Sequence, residues 1–210
     1  MKMKRNGAGM PEYSSANHFK HTHPNRIFRA LIARFNARLL ELADTAAPRS
    51  VLEVGCGEGF VLQYLAKHRP NWRLAGCDLA GDAVAYAGRL CPESVSLCTA
   101  DIYHLPLPSR SFDLVLCSEV LEHLEGVPAA LAELQRVTRG YVLVSVPHEP
   151  WFRALARLAV WLRLGPDPEH RQFWSALGFR RLMRERFQEI SFAYSSQYQL
   201  ALGRVFVETP

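Results

Sequence analysis

Apolar residues recur at steps of three and four from Ile27 through Phe28, Leu31, Ile32, Phe35 and Leu39 to Leu40. That period predicts an amphipathic helix over 24–44, ending before Pro48. Downstream the pattern changes. The runs SVLEVG (50–55), WRLAGCD (72–78), SVSLCTA (94–100), FDLVLCS (112–118) and YVLVSVP (141–147) are largely apolar and read as buried strands. Between them GFVLQYLAKH (59–68), AGDAVAYAGRL (80–90) and VPAALAELQRV (127–137) read as helices. Strands of this kind alternating with short helices predict an α/β fold, a parallel sheet covered on both faces. Ligands in such sheets bind beyond the carboxyl ends of the strands, near the topological switch point. The residues just after each strand are therefore the candidates for function.

Residues 1–12 show neither period and are expected to be a disordered tail. No repeat, low-complexity linker or second domain interrupts the rest, so 1–210 reads as one domain. Its 210 residues, 49% of them hydrophobic, are enough to bury a core. No run of about 18 uncharged apolar residues occurs, which argues against a membrane-spanning helix. The basic start MKMKRNGAGM lacks the apolar stretch of a secretion signal. Five cysteines without C-x-x-C spacing argue against a zinc site, and no metal is expected. Free cysteines in apolar runs fit a reducing cytoplasm.

The ends of the first three strands carry residues that a sheet does not need. The first runs into Gly55-Cys56-Gly57-Glu58-Gly59, preceded by the acid Glu53. Glycine allows close approach of a ligand to the main chain, and the next helix presents free N–H groups. The second strand ends in Asp78, where an acid can accept both hydroxyls of a ribose. The third ends in Asp101-Ile102, an acid able to bond an adenine amino group beside an apolar residue able to pack on the ring. A dinucleotide site would need G-x-G-x-x-G, whereas this chain has G-x-G-x-G. Glu53 and Glu58 would also set negative charge near a pyrophosphate. A sulfonium cofactor without phosphate, S-adenosyl-L-methionine, suits the loop better than NAD.

The segments VLEVGCGEG, GCDLA and TADIYHLPLPSRSFDLVLCSEVLEHL, spanning about 51–124, resemble the class I S-adenosylmethionine-dependent methyltransferases. The resemblance is to their small-molecule branch, which includes the ubiquinone/menaquinone-type enzymes. It implies a Rossmann-like seven-stranded, mostly parallel sheet ordered 3-2-1-4-5-7-6 with strand seven antiparallel. QEISFAY (188–194) and ALGRVFVE (201–208) would be the last two strands. By the same resemblance Gly55, Cys56 and Gly57 would line the methionine part of the cofactor. Asp78 would hold the ribose with Leu79 beside the adenine, and Asp101 and Ile102 would hold the adenine. Ser118 and Glu119 would lie near the transferable methyl.

The stretch 147–179 follows the fifth strand, where this fold commonly inserts a substrate lid. Its S-V-P-x-E-P-x-x-R and P-x-H-x-x-x-W-S patterns also resemble a group of uncharacterised bacterial methyltransferases, although Phe173 stands where that group tends to have a second histidine. The formal charge of +5 is concentrated here, with eight arginines against three acids over 151–186. That is either a solvated basic face or an attraction for an anionic substrate or membrane surface. Residues 151–164, with Trp151 and Trp161, are apolar over much of the helix girth. They read either as a packed lid helix or as one that contacts a membrane or a lipid-like substrate.

An alcohol acceptor needs a base, and His148, His170 and His123 are the candidates, with Glu149 to orient. His18, His21 and His23 read as a solvated arm rather than a metal site. The expected partner is a small-molecule substrate, sugar-like or lipid-linked, methylated at oxygen. Two alternatives are an RNA methyltransferase and a non-catalytic binder of the cofactor. The sequence after the fourth strand, Ser118-Glu119-Val120-Leu121, lacks the N-P-P-Y or D-P-P-Y run usual in enzymes that methylate nucleic-acid amines.

Overall fold

A computed structural model describes residues 15–22, 24–148, 171–195 and 198–206. Two helices come first, α1 (Ala16–Thr22) and α2 (Arg26–Asp44). The side chain of Asn25 caps α2 by accepting from the Ile27 N–H. Strand β1 (Ser50–Val54), helix α3 (Phe60–His68), strand β2 (Arg73–Asp78), helix α4 (Gly81–Leu90) and strand β3 (Ser96–Thr99) follow. Then come β4 (Phe112–Ser118), a 3-10 turn (Leu121–His123), α5 (Val127–Val137) and β5 (Thr138–Pro147). Helix α6 (Ala176–Arg186), β6 (Gln188–Ser195) and β7 (Tyr198–Arg204) complete the described chain.

The sheet order is β3-β2-β1-β4-β5-β7-β6. β1, β2, β3, β4 and β5 pair in parallel, and β7 runs antiparallel between β5 and β6. This is the seven-stranded Rossmann-like arrangement that the resemblance implies, with helices on both faces. Its switch point lies between β1 and β4: the chain runs outward from β1 through β2 to β3, then crosses back to β4 on the other side of β1.

Strand alternation divides the core. Leu52, Val54, Val115, Val142 and Val144 pack on the face covered by α5 and α6, through Leu131, Leu134, Phe179 and Met183. Val51, Leu114, Leu116, Leu143 and Leu200 pack on the face covered by α2 and α3, through Phe35, Leu39, Leu62 and Leu65. The expected elements recur with ends moved by a few residues, as is usual for boundaries. The last four residues of 147–179 open α6, whose Phe179 and Met183 are wholly buried in the core. Residues 149–170, the tail 1–12, His23, Glu149 and His170 lie outside the described residues.

Candidate functional site

The glycines of the first loop have three different reasons to be there. Gly55, Gly57 and Gly59 all have positive φ, at 76°, 50° and 79°. A Cβ on Gly55 would meet Val120 Cγ2 at 2.2 Å, and one on Gly59 would meet Cys91 Sγ at 2.8 Å and Ala87 Cβ at 2.9 Å. What comes close to the backbone at these two positions is the chain itself. A Cβ on Gly57 would meet only Asn17 Nδ2, at 3.2 Å, so the open side of the loop is at Gly57. The Gly55–Val120 contact also draws the loop after β4 against the loop after β1.

Asp78 ties this loop to the end of β2. Its Oδ2 accepts from the Gly57 N–H at 2.8 Å and its Oδ1 from the Ala80 N–H at 2.9 Å. A carboxylate has about four acceptor directions, so each oxygen can still take a ligand hydroxyl. Beside it Leu79 is 71% exposed, a large apolar side chain held in solvent at a strand end. Asp101 is half-buried and accepts from the Tyr103 N–H at 3.0 Å, while Ile102 is buried in the core behind it. Cys56 is buried as well; its sulfur faces Gly76 and the core, so only its main chain borders the loop.

Glu53 lies beneath the loop and is only 2% exposed. Burial, and then the neighbouring Asp78 charge, push its carboxyl well above the usual range, against a hydrogen bond from the Leu62 main chain. Its Oε2 has no hydrogen-bond partner among the described residues. Glu58 is also buried and accepts from Ser15 Oγ and Asn17 Nδ2. Burial thus favours the neutral form of Glu53, whereas the two hydrogen bonds that Glu58 accepts favour its charged form and keep an acid beside the loop.

His18 and His21 are not a solvated arm. Helix α1 lies across the loop. His18 Nε2 is 3.2 Å from Tyr86 Oη on α4, and the His21 ring stacks on Phe60 of α3 at 4.4 Å and 4°. Nothing in the hydrophobic period marks 16–22 as a helix. The signal that could have shown its docking is the unexplained Glu58, which the first polar residues of the segment satisfy. Among the described residues no group of three or more His, Cys, Asp or Glu is arranged to hold a metal.

On the other side of the switch point, Ser118 Oγ and Ser145 Oγ are 2.9 Å apart at adjacent strand ends. Glu119 follows with φ 55°, a left-handed conformation uncommon for a side chain of its kind, and its N–H donates to Ser145 O at 3.1 Å. His148 stands just past β5, half-buried, with its ring edge-on to Tyr194 at 5.6 Å. His123 is exposed on the 3-10 turn. The main-chain N–H groups of Arg171 and Gln172 both donate to Glu122 O, which returns the chain to that turn. Gln199 Nε2 bonds the carbonyls of Pro147 and Trp174 and so braces the start of β7 against the end of β5. The structure thus gathers Gly57, Asp78, Leu79 and Asp101 on one side of the carboxyl edge. Ser118, Glu119 and His148 stand on the other.

An adenosine-bearing ligand with a charged amino-acid end fits this set. The open side at Gly57, the spare acceptors of Asp78, the exposed Leu79 and the orphaned Glu53 Oε2 all lie at the ends of β1 and β2. The comparisons agree. The family described as "Methyltransferase domain" matches residues 52–144. An uncharacterised methyltransferase of Schizosaccharomyces pombe is 36% identical over 104 residues, 44% of this chain and 37% of that protein. The malonyl-[acyl-carrier protein] O-methyltransferase of Hamiltonella defensa is 28% identical over 170 residues, 80% of this chain and 61% of that protein. The chain thus spans less than two thirds of the length of these relatives. In fold it is similar to the magnesium protoporphyrin IX methyltransferase of Synechocystis, solved with bound S-adenosylhomocysteine. The TM-score is 0.67 at 16% identity, covering 91% of this chain and 93% of that one.

Proposed function

We propose, on the premise that this chain belongs to the class I S-adenosylmethionine-dependent methyltransferases, that it methylates a small molecule at oxygen, the acceptor being sugar-like or lipid-linked and of neutral or negative charge. The observation that carries this reading is His148 beside Tyr194 on the acceptor side of the carboxyl edge, across the switch point from the Gly57–Asp78 loop. When bound, the cofactor supplies an electrophilic methyl on a sulfonium. The rest is the work of the chain's own residues.

Asp78 holds the ribose hydroxyls on its spare acceptor directions, and Asp101 takes the adenine amino group. Leu79 and the edge of Ile102 pack on the base. The main chain of Gly55, Cys56 and Gly57 borders the methionine part, over the buried Glu53 carboxyl. Ser118 and Glu119 fix the methionine end from the β4 side, Glu119 through its left-handed main chain. His148 takes the proton of the acceptor hydroxyl at a ring nitrogen. His123 is exposed and His170 lies outside the described residues, so they rank behind His148 as bases. An acceptor oxygen held at this edge, beside His148 and away from bulk water, would receive the methyl that the cofactor supplies. The Hamiltonella defensa relative, by name an O-methyltransferase of an acyl-carrier-protein-linked acid, supports oxygen and a carrier-linked acceptor.

The test is transfer of label from methyl-labelled S-adenosylmethionine into fractionated sugar, lipid and RNA extracts. Label in a base-labile or alcohol-derived product of the sugar or lipid fraction supports the reading. Label in RNA alone overturns it. His148→Ala should lower turnover about 10²-fold or more on an alcohol, with cofactor affinity within a few-fold. An acceptor that is already a carboxylate would leave that variant active.

A further inference from the structure

Helices α2 and α6 pack on opposite faces of the same two strands, β6 and β7. Each leads into a strand that starts at the far side of the sheet. Both therefore begin at the carboxyl edge, where β5 ends and the β6–β7 hairpin turns. Their first turns are unlike the rest of the helices. On α2, Ile27 is 70%, Phe28 42% and Leu31 37% exposed, whereas Phe35 and Leu39, further along, are buried. At the start of α6, Leu177 is 81% exposed and Phe173 just before it 45%. Large apolar side chains thus flank the acceptor edge on both sides.

The charge around the first turns of α2 has one sign. From Tyr13 to Leu40 the chain has no acid, and it carries Lys20, Arg26, Arg29, Arg34 and Arg38. Arg26, Arg29 and Arg34 are exposed on the same turns of α2 as Ile27 and Leu31. Next to Phe173 and Leu177 in sequence, Arg171 pairs with Glu125, Arg181 pairs with Glu185, and the Arg180 guanidinium lies over the Phe192 ring. Exposed leucine, isoleucine and phenylalanine interleaved with arginine is the pattern of a helix that lies at the headgroup boundary of an anionic bilayer. A nucleic acid would use the arginines but leave the aliphatic side chains unexplained.

We propose that the carboxyl edge docks on an anionic lipid surface through the first turns of α2 and α6. The edge then meets an acceptor at the headgroup layer, and substrate does not have to leave the membrane to reach His148. Docking stands independently of the acceptor's identity, since it is read from a surface and not from the methyl-transfer site.

The test is co-sedimentation of the full chain with phosphatidylcholine vesicles, with and without phosphatidylglycerol. Binding is expected with phosphatidylglycerol, and should weaken about tenfold or more without it or when salt is raised well above about 0.1 M. Arg26→Gln with Arg29→Gln should each cost about fivefold. Ile27→Ser with Leu31→Ser, and separately Leu177→Ser, should weaken binding similarly, while thermal midpoint and S-adenosylhomocysteine affinity stay unchanged. Equal binding to both vesicle types overturns the proposal, as does wild-type binding by all these variants. A dimer in light scattering that the same apolar variants dissociate would make the patch a self-interface. Tighter binding to a short RNA than to vesicles would make it a nucleic-acid surface. Either result also overturns it.

Discussion

The main-chain N–H of Gly57 donates to Asp78 Oδ2 at 2.8 Å, so the carboxylate expected to bind the ribose is also the clasp of the glycine loop. Asp78→Ala removes both functions. A charged hydrogen bond is worth roughly 1.5–3 kcal/mol, so S-adenosylhomocysteine affinity should fall at least tenfold by calorimetry. The thermal midpoint should fall as well, because the Gly57 and Ala80 amides lose their acceptor. Asp78→Asn keeps an acceptor and should restore stability more than affinity. Equal recovery of both would mean that the residue is only a clasp.

The three loop glycines should separate by what each meets. Gly55→Ala drives a methyl into Val120, and Gly59→Ala drives one into Cys91 and Ala87, each on top of a positive φ. Overpacking costs about 1–3 kcal/mol, and left-handed strain about 1 kcal/mol more. Gly57→Ala meets only the end of the Asn17 side chain and should carry little beyond the strain. The expected order of thermal midpoints is Gly57→Ala above both others. Cofactor affinity should be lost in Gly57→Ala despite its better stability, since its Cβ occupies the open side of the loop.

Much of this was legible from the order of residues. Continuous apolar strands separated by short helices fixed the parallel sheet, and Gly55-to-Gly59, Asp78 and Asp101 marked three adjacent strand ends. What stayed hidden depends on contacts distant in sequence. Gly55 reads as room for a ligand until Val120, brought in by the turn after β4, is seen to fill it. Glu53 reads as a charge, but full burial beside Asp78 favours its neutral form. Segment 16–22 is too short and too polar to show a hydrophobic period, and its place is set by Glu58, Tyr86 and Phe60.

Helix α1 should act as a strap over the cofactor loop. Glu58 accepts from Ser15 and Asn17, and His18 and His21 rest on Tyr86 and Phe60. Glu58→Ala should leave the sheet folded and raise the hydrogen-exchange rate of the amides of 16–22 by tenfold or more. Cofactor release, followed by stopped flow, should quicken by a similar factor. Unchanged exchange in this variant would show that the aromatic contacts alone hold the helix.

Five thiols offer a probe of packing. All five cysteines are free. Burial foremost pushes Cys77 up to about 12 and Cys91 up to about 11, and raises Cys56 and Cys117 as well. A thiol-reactive dye at about pH 8 should find little thiolate in the native chain. Half-buried Cys98 should react first, and Cys56, Cys77 and Cys117 only at the rate of unfolding. Fast labelling of all five under native conditions would contradict the packing of both core layers.

Stability should fall on both sides of an acidic optimum, through two carboxyls with opposite shifts. Burial opposes ionisation of Asp113, but hydrogen bonds from Arg139, from Ser50 and from the Arg49 main chain together outweigh it, so its carboxyl sits well below the usual range. As pH falls below about 4, the unfolded chain takes up this proton first, and the stability Asp113 contributes is lost. Glu53 has the opposite sign. Its carboxyl is raised in the fold, so above about pH 4.3 the unfolded chain releases the proton first. Stability therefore declines as pH climbs toward the folded-state value. Denaturant midpoints across pH should show both limbs. Asp113→Asn should remove the acid limb and cost about 2–3 kcal/mol near neutrality. Glu53→Gln keeps an acceptor for the Leu62 N–H, removes the buried proton equilibrium, and should flatten the upper limb while raising the neutral-pH midpoint. A Glu53→Gln profile that still declines above pH 4.3 as steeply as the parent would place that titration on another group.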